Sequence, residues 1–461
     1  MRLLRILGIA TRLGLAYILL KNIPDFDIRF ARSVRVSCEE LGLVFIKLGQ
    51  FLAARKFFSG AVQTELEKLW DNSRPLPFDV IKQIVEAAVG ESIHTHFDSF
   101  HANPYASASI AQTHVAYRHG RKVMVKVRRP GVLDEVHKDM RIAKRLIALG
   151  ALISVRFRCI RAVRVPEQIE TWLLEEADFR NEKQNTELFR AAYDTDRIVV
   201  PQVEFAAEDV LIEEFLEGIP CNKWDERFRQ DGFNPQESVR NFLPVVFGPP
   251  FRGVPVPVHG DPHPANLIVM KEGRMGIVDF GLVRRIAKHD LDLLNDAVFA
   301  VYAQNTERTV EVLLRAGGHT FTNEKKRRAF EREVAMYIEE CQHQPFDYWL
   351  IELGRILMRH GVPTLEVFTL ISRFGVLGNK VAQMFFPGSS TLDLVGKEIR
   401  AGMQQQMFDR MKNIDLFPLL YELSLRAESA PRDAARFVQH PLETIAEMLE
   451  TVFAPLRTKV V

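Results

Sequence analysis

Few features would set this sequence apart from ordinary globular proteins, and each scarcity excludes a class of function. Four cysteines, Cys38, Cys159, Cys221 and Cys341, lie far apart in 461 residues. None has C-x-x-C spacing and no histidines cluster at zinc-finger spacing, so a disulfide scaffold and a structural metal site are not expected, and a reducing compartment is. Neither sign of charge is in excess: 61 Lys+Arg against 59 Asp+Glu leave a net charge of +2. No overall field therefore draws the chain to nucleic acid, and none is expected as a partner. Long apolar runs are lacking too. Leu13 to Leu20 is bounded by Arg12 and Lys21, and Leu146 to Val155 by Arg145 and Arg156, so both fall short of the ~18 to 20 residues that a membrane-crossing helix needs. The opening MRLLRILGIATRLGLAYILLKN holds four basic residues and no acid precedes Asp25. It reads as a transit peptide, an interfacial helix or an ordinary first helix, without a small-residue cleavage signature for secretion. No internal repeat or low-complexity tract is present, and the Pro-rich stretch Gly248 to Val258 is the one compositional oddity.

With 47% hydrophobic and 26% charged residues, the chain has the material for two or three lobes. Residues 1 to about 90 read as helical: Leu41, Val44, Phe45, Leu48 and Leu52 share one side of a 3.6-residue wheel, and Leu66, Leu69 and Trp70 repeat the pattern until Pro75 and Pro77. From His114 the texture changes. His114 to Tyr117 and Lys122 to Val127 are short runs around Arg118-His119-Gly120-Arg121, which predicts a β-hairpin ended by Pro130-Gly131. Helices are expected over 134–155 and 166–192, strands over Ile198 to Val203 and Val210 to Phe215, and a boundary at Glu217-Gly218. Two more strands, Leu267 to Met270 and Met275 to Val278, precede a region that reads as helix throughout. The expectation is an α+β architecture: a helical extension over 1–90, a small α+β lobe over 91–218, and a mainly α lobe over 219–461.

The sharpest chemical signal is His259-Gly260-Asp261-Pro262-His263-Pro264-Ala265-Asn266, followed by Asp279-Phe280-Gly281. An Asp, an Asn five residues on, and an Asp-Phe-Gly eighteen residues after the first Asp give the layout of a kinase catalytic loop and metal loop. Phosphoryl transfer is mostly positioning and charge neutralisation, so it needs a carboxylate facing the acceptor and oxygen ligands that hold magnesium against phosphates. Asp261 is assigned the first role, Asn266 and Asp279 the second. His259 and His263 read as loop-packing residues. Upstream, Val123, Val125 and Val127 alternate with Met124 and Lys126, which turns Lys126 to the face opposite the valines, where a lysine can pair with nucleotide phosphates. Burying its ammonium demands a carboxylate partner. Glu182 is the candidate, on an acidic stripe with Glu175 and Asp178 at helical spacing. A Gly-rich loop is missing before this strand; Ala106-Ser107-Ala108-Ser109 stands there instead, small enough for phosphates to approach the backbone but without the positive φ of glycine. Val210 to Gly218 resembles a kinase hinge whose Glu214, Phe215 and Leu216 would meet an adenine. In Phe45-Ile46-Lys47-Leu48-Gly49-Gln50, Lys47 and Gln50 project away from the apolar ridge. Gly49 inside a helix costs ~1 kcal/mol, which points to close packing there.

Taken in order, Lys47-x-Gly49-Gln50, the Ala-rich loop, Lys126, Glu176-x-Asp178, Glu182, His259-x-Asp261 with Asn266, and Asp279-Phe280-Gly281 resemble the UbiB family of atypical protein-kinase-like proteins, over roughly residues 35–320. The resemblance implies a bilobal kinase-like fold in which Lys47 and Gln50 lie over the active site and meet Glu176 and Asp178. It also implies ATP or ADP with Mg2+ as cofactors, ATPase or unorthodox kinase activity, a role in ubiquinone or other isoprenoid-lipid metabolism with an isoprenoid lipid or quinone precursor as partner, and a cytoplasmic, peripheral place on an inner membrane, mitochondrial in a eukaryote. Three departures stand out. No Ala-Pro-Glu motif follows Gly281; Gly248-Pro249-Pro250, Pro255 and Pro257 interrupt the helix expected to run into the catalytic loop; and the tail from Pro431 to Val461 lacks paired membrane helices. Any membrane attachment is then peripheral, through residues 1–21. Two other readings stay open: a small-molecule kinase of the aminoglycoside or choline type, and a nucleotide-switched scaffold or lipid-handling protein without turnover.

Overall fold

The computed structural model describes residues 2–396 other than 21–24, 55–59, 67, 70–73, 154–164, 252, 303, 342–345, 364–365, 390 and 392–393. The expectations for Trp70, Cys159 and the tail after Pro431 lie outside these residues. Helices α1 (Arg2–Leu20), α2 (Phe26–Leu41), α3 (Leu43–Ala54) and α4 (Gly60–Leu66) form the extension. The single ridge expected through Leu41 and Val44 is broken at Gly42, whose φ of 85° ends α2 before α3 begins. Only glycine enters that conformation without strain. Leu43 and Val44 of α3 are buried against Val136 and Met140 of α7 (Val132–Ile153) and Ile169, Trp172 and Leu173 of α8 (Val165–Glu176). Ile6 and Ile9 of α1 pack on Leu41. The extension is thereby bound to the rest of the molecule through an apolar seam.

The small lobe is built on an antiparallel sheet, in which β1 (Ser99–Phe100), β3 (Ala111–Arg118), β4 (Arg121–Arg128), β7 (Val210–Glu214) and β6 (Val203–Ala206) follow in spatial order, with β2 (Ala106–Ser107) also paired to β3. The hairpin expected around Gly120 is the pair β3–β4, in register Arg118 to Arg121. Alternation sorts the sheet faces as the sequence implies. Val123, Val125, Val127, Val210 and Ile212 are buried against Ile81 and Val85 of α5 (Phe78–Val89), with Ile93 of the short α6 (Ile93–His96) beside them. Helix α5, placed with the extension by sequence, thus covers the back of this sheet. Lys126, Met124, Leu211 and Glu213 share the opposite face, because Lys126 pairs with Leu211 and Met124 with Glu213. That face is closed by α9 (Phe179–Tyr193), whose Phe179 packs on Leu211. The single helix expected over 166–192 is two helices. Asp178 takes an extended conformation and its side chain accepts the Arg180 N–H, capping α9.

The second lobe holds a four-stranded sheet, β5 (Ile198–Val199), β11 (Met275–Ile277), β10 (Leu267–Val269) and β8 (Ile219–Pro220), and a two-stranded ribbon of β9 (Pro257–His259) and β12 (Val283–Arg285). After Ile286 every described element is helical: α11 (Lys288–Tyr302), α12 (Thr306–Ala316), α13 (Glu324–Cys341), α14 (Phe346–His360) and α15 (Glu366–Phe385). Before the ribbon runs α10 (Pro235–Phe251), which corrects the expectation of a break at Pro249-Pro250, since Pro244, Pro249 and Pro250 all lie inside it. Each proline removes one N–H and orphans the carbonyl four residues earlier. For Pro244 and Pro249 those carbonyls belong to Arg240 and Val245, both exposed residues that solvent can reach, and for Pro250 to buried Val246. The helix continues to Phe251, and only Pro255 and Pro257 lie in the extended approach to the catalytic loop.

Candidate active site

Strand β4 carries Lys126 into the cleft with only 16% of its side chain exposed. Its Nζ donates to Glu182 Oε1 and Oε2 at 2.8 and 2.9 Å and to Asp279 Oδ1 at 2.9 Å. Glu182 is positioned by the first turn of α9, where its carboxylate is 2% exposed. Three segments distant in sequence therefore meet on one ammonium. Burial alone would lower the Lys126 pKa, yet Asp279 and Glu182 outweigh it and hold it raised. For Asp279 burial acts upward, and Lys126, with Lys47 and His259 adding to it, overcomes that and holds the carboxyl at about 2. Burial raises Glu182 against the pull of Lys126.

Asp279 sits at φ 65°, a left-handed conformation rarely taken outside glycine. Its successor Phe280 is fully buried, ringed by Phe189 and His259 at 5.2 and 5.3 Å, and Asn185 Nδ2 donates to the Phe280 carbonyl at 2.9 Å. A buried aromatic and a helix side chain thus pin the turn that aims Asp279. The two histidines of the 259–266 loop do pack it. His259 Nδ1 accepts the Asp261 N–H at 3.1 Å and His263 Nδ1 accepts the Ala265 N–H at 3.2 Å. Asn266 Nδ2 donates to the Asp261 carbonyl at 3.1 Å, which commits the amide nitrogen and leaves Oδ1 for a ligand.

Asp261 has a partner that the sequence did not suggest. Arg373 of α15 reaches its Oδ2 at 3.0 Å. The next residue, Phe374, stacks on Phe247 of α10 at 3.7 Å, and Gly378 leaves room for that ring, since a Cβ there would strike it. Burial would raise the Asp261 pKa, but Arg373 and then Lys47 reverse this and hold it lowered. No local motif marks Arg373; only the packing of α10 on α15 delivers it.

On the other side of the cleft Lys47 Nζ donates to Glu176 Oε1 and Oε2 at 3.0 and 3.3 Å. Lys47, Gln50, Glu176, Asp261, Asp279 and Arg373 all line one pocket, walled by Ile169, Trp172 and Leu173. Half of the expected extension contact is present. Gln50 Nε2 donates to the Leu69 carbonyl at 3.1 Å, and Asp178 binds Arg180 at 2.7 Å, so these two do not meet. Gly49 has the packing reason its sequence position called for: a Cβ would lie 2.5 Å from Leu69 Cδ1. With 20% and 27% of their side chains exposed, Lys47 and Glu176 form a half-buried pair that solvent still reaches. Lys47→Ala is therefore expected to cost about 1 kcal/mol or less in urea unfolding while hydrogen exchange in α3 rises. A loss of several kcal/mol would make the pair a structural bolt.

The Ala-rich loop is tightened without glycine. Ala108 N–H donates to the Ala111 carbonyl at 2.8 Å, and Arg129 donates to the Ala108 carbonyl at 2.7 Å and Ser107 Oγ at 2.6 Å. Ala106 and Ser107 form β2, while Ser109 precedes buried Ile110. At the expected hinge, the N–H groups of Glu214 and Phe215 are taken by the carbonyls of Gln202 and Lys122 at 2.8 and 3.2 Å. Phe215 lies under the Lys122 ammonium at 3.7 Å.

The ABC1 atypical kinase-like domain matches residues 68–313, more than half the chain. A chloroplastic, uncharacterized aarF domain-containing protein kinase of Arabidopsis thaliana is 30% identical over 60% of this chain and 53% of its own length. The probable protein kinase UbiB of Sodalis glossinidius is 29% identical over 68% and 62%. The match thus spans little more than half to about three fifths of these relatives. Among solved structures, the Rv3197–erythromycin complex of Mycobacterium tuberculosis is 21% identical with a TM-score of 0.42 over 77% of this chain and 90% of that one. The Rio2 kinase–ADP/Mg2+–phosphoaspartate complex of Chaetomium thermophilum is 11% identical with a TM-score of 0.28 over 80% and 98%. With the family domain laid across the sheet lobe, the catalytic-loop ribbon and the first helices beyond it, the chain belongs to the UbiB family of ABC1 atypical kinase-like proteins and has their bilobal α+β fold.

Proposed function

We infer that this protein binds ATP or ADP with Mg2+ between its lobes and acts as an ATPase or unorthodox phosphotransferase. The convergence of Lys126, Glu182 and Asp279 within 2.9 Å carries this reading. A buried ammonium held by two carboxylates is a ready partner for phosphate oxygens, to which it can turn while Glu182 keeps it in place. Asp279 and the free Oδ1 of Asn266 fit magnesium, a hard cation that takes one or two protein oxygens and fills its remaining sites with phosphate and water. When bound, the ion would neutralise charge on the phosphates. Asp261, in the same pocket, would orient the acceptor hydroxyl or water and receive its proton, with Arg373 fixing its rotamer. The Ala-rich loop would cover the phosphates and residues 214–216 would meet the adenine.

The pairing of Asp261 with Arg373 also favours a second reading, a nucleotide-switched scaffold, because a carboxylate tied to a guanidinium is a weaker base. The test is calorimetry with ADP, with and without Mg2+, beside phosphate release from ATP. Magnesium-dependent binding with release supports the enzyme; binding without release supports the scaffold; no binding defeats both.

Family resemblance extends the proposal to ubiquinone or other isoprenoid-lipid metabolism on a membrane surface. Among the described residues no helix is long and apolar enough to cross a membrane. Leu4, Leu7, Leu15 and Tyr17 of α1 are, however, 73%, 41%, 52% and 54% exposed, which suits an interfacial helix. Flotation with anionic vesicles tests this: Leu4→Asp/Leu7→Asp/Leu15→Asp should abolish it without changing nucleotide affinity.

A further inference from the structure

The Lys126 face of the sheet also holds a titratable side chain for which the chemistry above has no use. Glu213 lies on β7, 6% exposed, and its Oε2 is buried with no hydrogen-bond partner among the described residues. Leaving a carboxyl in such a place is costly unless something satisfies it. Its position says what that something is. Lys126 pairs with Leu211 and Met124 with Glu213, so Glu213 stands two residues, about 7 Å, along the strand from the lysine and toward the hinge. The phosphate end of the cleft is at Lys126, and the hinge begins at the next residue, Glu214. A group between them faces the base. Its charged neighbours are Lys126 from β4, Glu182 from α9 and Asp279 from the loop after β11.

We propose that the Glu213 carboxyl reads the base of the bound nucleotide and selects adenine. The inference rests on the nucleotide-binding function proposed above and deepens it. Burial, reinforced by the Glu182 charge, pushes the carboxyl up to about 8, so near neutral pH it keeps its proton. A protonated carboxyl is a donor and an acceptor side by side. On the edge that carries N7, adenine offers the complement, an N6 amino donor beside the N7 acceptor, whereas guanine offers two adjacent acceptors, O6 and N7. Guanine would leave the carboxyl oxygen that faces it unpaired, and a buried polar group left unpaired is what makes such sites selective. The lysine contacts do not supply this discrimination, since phosphates are common to both nucleotides.

The experiment measures Mg-ADP and Mg-GDP affinity by calorimetry for the full chain and for Glu213→Gln and Glu213→Met. The native protein should prefer ADP. Glu213→Gln retains a donor and an acceptor and should keep the ADP/GDP ratio within about twofold, while Glu213→Met should lower it about tenfold by weakening ADP alone. Glu213→Leu is read in the same way if the methionine variant does not fold. A native chain that binds ADP, with the ratio unchanged in the apolar variant, overturns this inference and leaves nucleotide binding intact. A native chain that binds neither nucleotide overturns the nucleotide reading, and this one with it.

Discussion

Asp279→Asn is expected to reduce Mg-dependent nucleotide affinity and any phosphate release by on the order of 100-fold, the scale on which loss of one preorganised charge acts in a desolvated site. The carboxylate is replaced by an amide that still fits but no longer holds a divalent ion strongly, and the Lys126 ammonium loses the opposite charge at its 2.9 Å contact. Because Lys126 keeps the Asp279 carboxyl at about 2, the group stays ionised between about pH 5 and pH 8. The loss should then be equal at both ends of that range. A loss that vanished toward acid would mean that the native carboxyl was already taking up protons there. Equal turnover and binding by native and variant chains at both pH values would remove Asp279 from the chemistry.

Glu182→Ala is expected to be the most destabilising single change in the cleft, at about 3 kcal/mol in urea unfolding. Lys126 would retain Asp279 but lose the carboxylate that holds it with both oxygens, inside a face closed by Phe179, whose ring centroid lies 5.5 Å from the ammonium. Relief of repulsion among Glu182, Asp279 and Glu213 offsets part of the loss, which keeps the figure at the low end of what breaking a buried pair costs. Glu182→Gln, which still accepts a hydrogen bond, should lose less than half as much. A change below about 0.5 kcal/mol, the size of an ordinary surface substitution, would show that water reaches the lysine freely.

The fold and much of this cleft were legible in the sequence because alternation and spacing are local. Val123, Val125 and Val127 named the buried face of β4 and so the side to which Lys126 turns; burial then demanded an acid, and Glu182 supplied it. What misled was conformation decided by single residues. Gly42 and Asp178 each ended a helix that periodicity alone would have continued, and Pro249 and Pro250 failed to end one, since their context, not their identity, settled the matter. Arg373 was invisible for a different reason: its role depends on Phe374 stacking on Phe247, a tertiary contact with no counterpart in local pattern. Gln50 and Asp178 show the converse, being motif positions that satisfy nearer partners, Leu69 and Arg180.

Arg373 and Lys47 also bear on how this protein should be divided. A fragment trimmed to the matched 68–313 keeps Lys126, Glu182, Asp261 and Asp279, yet sheds one flank of the chamber at each end. Asp261 would lose its guanidinium and Glu176 its ammonium at a stroke. The matched domain is thus smaller than the set of residues that builds the pocket, and excising it would leave Asp261 without the guanidinium that lowers its pKa.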